Sequence, residues 1–188
     1  RNDISWLDTK AVLNGTTPTY ALTDLESGRP VYKKPKNEDE LFNLMGASSA
    51  LPIRKPIRVD GREYIDGTLS VGGFPISKAI EDGHQEILVL SSRPNGFYKK
   101  SAFGLLSRAL ALHASFKGQP SLSKLCLQYG SRLKESNETA RNNSEKIELV
   151  EPDKQILVSI LDCNKKRLNA TVDLGSEYAK KWLVEHGY

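Results

Sequence analysis

Asp66 and Gly67 close a β-prone run, Glu63 to Ile65, and of all the titratable residues in the chain this aspartate is the best placed to do chemistry. A glycine after a strand-terminal carboxylate lets the backbone turn sharply, so the carboxylate projects from the sheet edge instead of continuing the ladder. That is a place where a general base is often found. Asp-Gly is equally the dipeptide of an ordinary tight turn, and on the pair alone both readings stand.

The other chemistry-bearing residues are less organised. A serine nucleophile on a G-x-S-x-G elbow is absent: Gly46-Ala47-Ser48-Ser49-Ala50 lacks the closing glycine, and Ser70 has Thr68 where the first glycine should be. Gly72-Gly73 reads as a turn ahead of Pro75, with an anion-binding nest as the alternative. His84, His113 and His186 could each act as base for a serine, but exposure, helix capping or packing accounts for each of them. No histidine pair has metal-ligand spacing and no acidic cluster suggests calcium, so neither a metal nor a cofactor is expected.

The elements that must position these residues can be read from periodicity and punctuation. Pro18 to Leu22 and Val31-Tyr32 read as strands joined through the turn at Asp24 to Arg29. Asn37 three residues ahead of Glu40 predicts a helix start, with Pro52 limiting its extent. Asp60-Gly61 between two β-prone runs predicts a hairpin whose second arm delivers Asp66. Ile76 to Glu81 reads as a helix closed by Gly83, feeding a fully buried strand at Glu86 to Ser91. Helices are predicted over Ser101 to Phe116 and from Ser121 to about Asn137, the latter continued by the polar tract Lys134 to Lys146. Strands at Ile147 to Val150 and Gln155 to Ile160 and a helix from Gly175 to His186 complete the chain. Helices alternating with apolar strands imply α/β layering with a partly parallel sheet.

Taken in order, Ala47-Ser48-Ser49-Ala50-Leu51-Pro52, Tyr64-Ile65-Asp66-Gly67, and then Pro75, Ala79, Gly83 and Ile87 to Leu90 resemble the second half of the patatin-like phospholipase domain. Tyr20 to Gly28, with Thr23-Asp24-Leu25-Glu26-Ser27-Gly28, resembles that family's strand and T-D-x-x-[ST]-G turn. The likeness covers roughly Thr17 to Arg93, and the combination is more specific than any piece of it. Arg93-Pro94 with Tyr98-Lys99-Lys100 further resembles a bacterial branch that carries an extra C-terminal region.

The resemblance implies an incomplete three-layer α/β/α hydrolase fold. Residues 1–100 would be the C-terminal portion of the hydrolase domain, and 101–188 a helical and mixed α/β extension packing on it. It also implies a lipid acyl hydrolase, a phospholipase or esterase, that works through a serine–aspartate dyad. Asp66 matches the aspartate of the family's Asp-Gly-[Gly/Ala] motif; Gly67, Ser48, Ser49 and Pro52 match supporting positions. Thr68 departs from the third position of that motif. The nucleophile elbow and the glycine-rich oxyanion loop lie upstream of Arg1 in the family's order. With Met45 as its only methionine, the chain reads as a trimmed or partial product, inactive alone.

Composition narrows the partners. At 188 residues with 38% hydrophobic and 27% charged residues, the chain suits one soluble domain and has no apolar run of bilayer-spanning length. Membrane contact would be peripheral. The net charge of +4 includes the clusters Lys33-Lys34-Lys36 and Lys165-Lys166-Arg167, which read as solvated surface or as a phosphate- or lipid-binding patch. No aromatic interleaving points to nucleic acid. Two well-separated cysteines, Cys126 and Cys163, indicate a reducing, cytoplasmic setting. A lipid or ester is the expected substrate, and a missing N-terminal segment or a homodimer the expected protein partner. The alternative function is a non-catalytic lipid-surface or structural domain of the same fold. An open cleft beside Asp66, where strands are missing, is expected of the enzyme part; a fully paired sheet there is expected of the alternative.

Overall fold

The computed structural model describes residues 7–94, 108–113, 118–153, 156, 158 and 162–187. They are mixed α/β, and the chain divides into two units, Arg1–Lys78 with Lys100–Thr139 and Ala79–Lys99 with Ala140–Tyr188. Residues 101–188 thus contribute to both.

In the first unit, helix α1 (Thr9–Asn14) starts where Asp8 accepts the Ala11 N–H at 2.9 Å. Strand β1 (Tyr20–Asp24) turns back antiparallel into β2 (Pro30–Lys33). Helix α2 (Glu38–Ser48) opens on the predicted cap: Asn37 Oδ1 accepts the Glu40 N–H at 2.9 Å, while the Glu40 carboxylate accepts from the Lys36 N–H at 2.9 Å. Strands β3 (Ile57–Val59) and β4 (Arg62–Asp66) form the predicted hairpin. Asp60 and Gly61 take φ of 51° and 77°, the left-handed pair that lets a two-residue turn follow the twist of its strands. The sheet order is β2-β1-β4-β3, antiparallel throughout.

Period-2 alternation sends side chains to two different cores. Leu22, Val59 and Tyr64 pack with Leu44 and Ala47 of α2 on one face. Ile65 faces the other way, toward Leu69 and toward Leu122, Cys126 and Tyr129 of a long helix, α5 (Pro120–Asn142). Each fully buried leucine contributes about 1.5–3 kcal/mol, so helices hold this sheet from both sides. Between β4 and α5 lie a short helix that the sequence did not announce, α3 (Thr68–Val71), and α4 (Ile76–Glu81), the latter ending before Gly83 at φ 84°. Gly72 and Gly73 are a turn, as read, and have a packing reason as well. A Cβ on Gly72 would stand 2.4 Å from the Arg132 carbonyl oxygen, and one on Gly73 2.8 Å from the Leu133 side chain.

The second unit pairs β5 (Ile87–Leu90) with β6 (Ile147–Val150) in parallel, the sole parallel pair among the described residues. The fully buried strand expected at 86–91 is corrected here. Val89 is buried, but Leu88 and Leu90 are 46% and 72% exposed, because one face of this two-stranded sheet is only loosely covered. Helix α6 (Lys165–Glu185) begins ten residues before the expected start at Gly175; Asn164 Oδ1 caps it by accepting the Arg167 N–H at 3.2 Å. Glycine within a helix costs only about 1 kcal/mol, too little to end one held by tertiary contact. The helix expected from Ser121 and continued by the polar tract to Lys146 runs from Pro120 and ends at Asn142. Of the helix expected over 101–116, residues 108–113 are helical and the remainder lie outside the described residues. The strand expected over 155–160 likewise lies outside them, save Ile156 and Val158, neither of which is in a strand.

Candidate functional site

The site is built on the C-terminal end of β4. Asp66 pairs with Leu22 of β1, and on its other flank its N–H donates to the Ala50 carbonyl at 3.0 Å. Its backbone carbonyl lies 2.8 Å from the Thr23 hydroxyl. The backbone at Asp66 is therefore fully held, and the side chain is half-buried. One carboxylate oxygen, Oδ1, accepts the Thr68 N–H at 2.8 Å, while Oδ2 accepts no hydrogen bond from the described residues.

Gly67 plays a different part from the one its sequence position suggests. Its φ of −62° and ψ of −26° suit any residue, so no conformational freedom is needed. A Cβ there would instead stand 2.2 Å from the Ala21 carbonyl oxygen and 2.8 Å from the Leu22 nitrogen. Gly67 is thus required by the close approach of β1, against which α3 then packs, with the Ser70 hydroxyl 2.9 Å from Thr23 Oγ1. Thr68 supplies the N–H that fixes Asp66.

The other expected residues occupy nearby but separate positions. Ser48 and Ser49 end α2, and their hydroxyls donate to the Met45 carbonyl at 3.0 and 2.9 Å. Pro52, in the following turn, lines a cavity of about 260 Å³ with Ile65, Leu122 and His113. Strand alternation puts Ile65 on the sheet face opposite to Asp66, so His113 has the wrong side of β4 to serve it. Ser70 is buried and its hydroxyl is 3.1 Å from the Gly67 carbonyl and 2.9 Å from Thr23 Oγ1. His84 is exposed; His186 stacks on Trp182 at 4.2 Å with its Nε2 3.0 Å from a Glu148 oxygen.

The T-D-x-x-[ST]-G turn behind the site is an electrostatic device whose role the sequence did not reveal. Asp24, 1% exposed, accepts at Oδ1 from the Ser27 N–H at 2.8 Å and the Ser27 hydroxyl at 2.7 Å. Gly28, at φ 69°, closes the turn onto the Asp24 carbonyl at 2.8 Å. Arg62 Nε lies 3.1 Å from Oδ2, near enough for charge attraction though not aligned as a hydrogen bond. Burial, the largest single influence, raises the Asp24 pKa; the Ser27 donors and the Arg62 charge together outweigh it and hold the carboxyl below its ordinary value. The signal was an aspartate three residues ahead of a serine, a spacing read as family likeness and not as a capped turn.

Cys126, 1% exposed in the core between β4 and α5, has its thiol pushed up to about 11 by burial, so it stays protonated and unreactive. In the second unit a groove of about 520 Å³ runs between β5, β6 and α6, lined by Leu88, Leu90, Val150 and Leu174. Polar groups at its rim are engaged within the unit: Tyr178 with Asp153, Trp182 with Glu148, and Glu151 with Arg141 at 2.6 Å. No described helix is long and apolar enough to cross a membrane. Comparison with protein families, curated proteins and solved structures returned no match to this chain.

Proposed function

We propose that this chain contributes Asp66, as general base, to a serine–aspartate dyad in a patatin-like lipid acyl hydrolase, its layers forming part of a three-layer α/β/α hydrolase fold. The observation that carries the reading is the split state of the carboxylate. The Thr68 N–H orients Oδ1, and Oδ2 is left to take a proton. The serine and the oxyanion donors would come from polypeptide outside these 188 residues, since no G-x-S-x-G occurs within them. Oδ2 would accept the serine proton as Oγ attacks an ester carbonyl, then return it to the departing alkoxide, leaving an acyl-serine. Water, deprotonated by the same oxygen, would release the acid and restore the serine. Without oxyanion donors the tetrahedral intermediate has nothing to stabilise it, so the chain alone would be inactive.

The test compares two proteins on a chromogenic short-chain ester. The 188-residue chain should show no hydrolysis, and the product of the whole parent gene should hydrolyse it. In the latter, Asp66→Asn should abolish turnover without lowering Tm, because the amide oxygen still accepts from Thr68. Hydrolysis by the 188 residues themselves, or a parent whose Asp66→Asn variant stays active, would remove the proposal.

One observation favours the second reading, a non-catalytic structural or lipid-surface domain derived from the same fold. Strand β4 pairs with β1 as far as Asp66 and with β3 as far as Tyr64, and the Ala50 carbonyl takes the Asp66 N–H beyond the end of β3, so the backbone at Asp66 is engaged on both flanks. On this reading Asp66 only fixes the turn into α3, and neither protein turns over the ester.

A further inference from the structure

Helix α6 is unusual in having no fully buried residue along its 21 residues. Its partly buried positions, Thr171, Leu174, Tyr178 and Trp182, follow at steps of three, four and four and form the face turned to the groove. Beside that face runs a second row, Leu168, Val172, Gly175, Ala179 and Leu183, at steps of four, three, four and four. All five are exposed, Val172 to 67%. This row is apolar from end to end and lies within one narrow arc of the helix surface; Gly175, Ala179 and Leu183 also edge the groove, so strip and groove mouth form one continuous apolar surface open to solvent.

What borders the strip indicates what would cover it. Next to it, away from the sheet, lie Lys165, Asn169, Ser176 and Lys180, all exposed, and lysine is the only charged type among them. The acidic Asp173 and Glu177 lie further round the helix, and α6 as a whole has five basic against three acidic residues. We infer that α6 is a docking helix for an anionic bilayer surface. The strip from Leu168 to Leu183 enters the headgroup boundary, and Lys165 and Lys180 meet lipid phosphates. An apolar strip edged with lysines is the chemistry that a negatively charged membrane surface selects. A second copy packed antiparallel fits less well, since that arrangement brings the two lysine rows to the same side of the contact, and a parallel pair leaves both rows without an acidic partner. The inference involves neither Asp66 nor ester hydrolysis, so it stands or falls apart from the function proposed above.

The experiment is cosedimentation of the full 188-residue chain with vesicles of phosphatidylcholine alone and of phosphatidylcholine with phosphatidylglycerol. Sedimentation velocity on the same samples without lipid reads self-association. Binding should appear with the anionic vesicles, weaken as salt is raised, and fall by about tenfold or more in Lys165→Glu/Lys180→Glu. Val172→Asp/Leu183→Asp should abolish it while helical circular dichroism is retained, as expected for changes at exposed positions. A chain that ignores anionic vesicles, or whose binding survives either pair of substitutions, overturns the inference. So does a dimer that Val172→Asp/Leu183→Asp dissociates in a chain with no vesicle binding.

Discussion

Gly67→Ala isolates the contact that shapes the site. Most glycine-to-alanine changes at a residue with φ near −60° stabilise a protein by about 0.4–1 kcal/mol, because the unfolded chain loses freedom. Gly67 has such a φ, −62°, so on conformation alone alanine should be favourable. Against this, the new methyl group would lie 2.2 Å from the Ala21 oxygen and 2.4 Å from the Ala21 carbonyl carbon, where relaxed carbon contacts are about 3.5–4.0 Å. These are backbone atoms of β1, which is paired to β2 on one side and β4 on the other, so the strand can retreat only by losing ladder hydrogen bonds. Overpacking costs about 1–3 kcal/mol, and a clash with fixed backbone belongs at the upper end. The expected net loss is about 2 kcal/mol. With a urea slope of about 1–3 kcal/mol per molar, the midpoint by far-UV circular dichroism should fall by about 1 M. Gly61→Ala is the control: nothing lies within 4 Å of its Cβ, and it should cost about 1 kcal/mol for its φ of 77° alone. A Gly67→Ala midpoint equal to or above that of the wild type would refute the steric account.

The carboxylate at Asp66 gives a paired prediction on stability. Asp66→Ala should lower it by about 1 kcal/mol through loss of the Thr68 acceptor, whereas Asp66→Asn should leave it nearly unchanged in urea titrations. Asp24 makes stability pH-dependent. Its folded pKa lies below 3.8, so its contribution is full above that value and is lost as pH falls through the folded pKa. The stability gap between wild type and Asp24→Asn should accordingly be widest at neutral pH and close below 3.8. Thiol titration with a chromogenic disulfide at neutral pH should find exposed Cys163 promptly and buried Cys126 only after addition of urea.

Features governed by a few adjacent residues were legible in the sequence. Asp60-Gly61 needs two left-handed residues and has the types that accept them; Asn37 stands three residues ahead of Glu40, the spacing at which its side chain accepts the Glu40 N–H. Asp66 at a strand terminus belongs to the same class. What depended on a distant partner was not legible. The reason for Gly67 lies in Ala21, more than forty residues earlier, and the exposure of Leu88 and Leu90 follows from how little stands over β5. An apolar run such as Ile87 to Leu90 reads alike in a central and a marginal strand. Helix α6 began early because a capping asparagine and a partly buried face outweigh an internal glycine.

The parallel register Ile87↔Ile147 joins segments separated by roughly sixty residues of chain. During synthesis, β5 therefore emerges well before the strand that completes it has been made. For the time between, four consecutive aliphatic residues with strong β preference have no partner from their own unit. Such a segment is a natural target for holding chaperones and a natural seed for mispairing between nascent chains. Expression yield should therefore respond more to growth temperature and chaperone supply than equilibrium stability would suggest. A charged substitution at Leu90, exposed at the mouth of the groove, would be the first change to try for improving it.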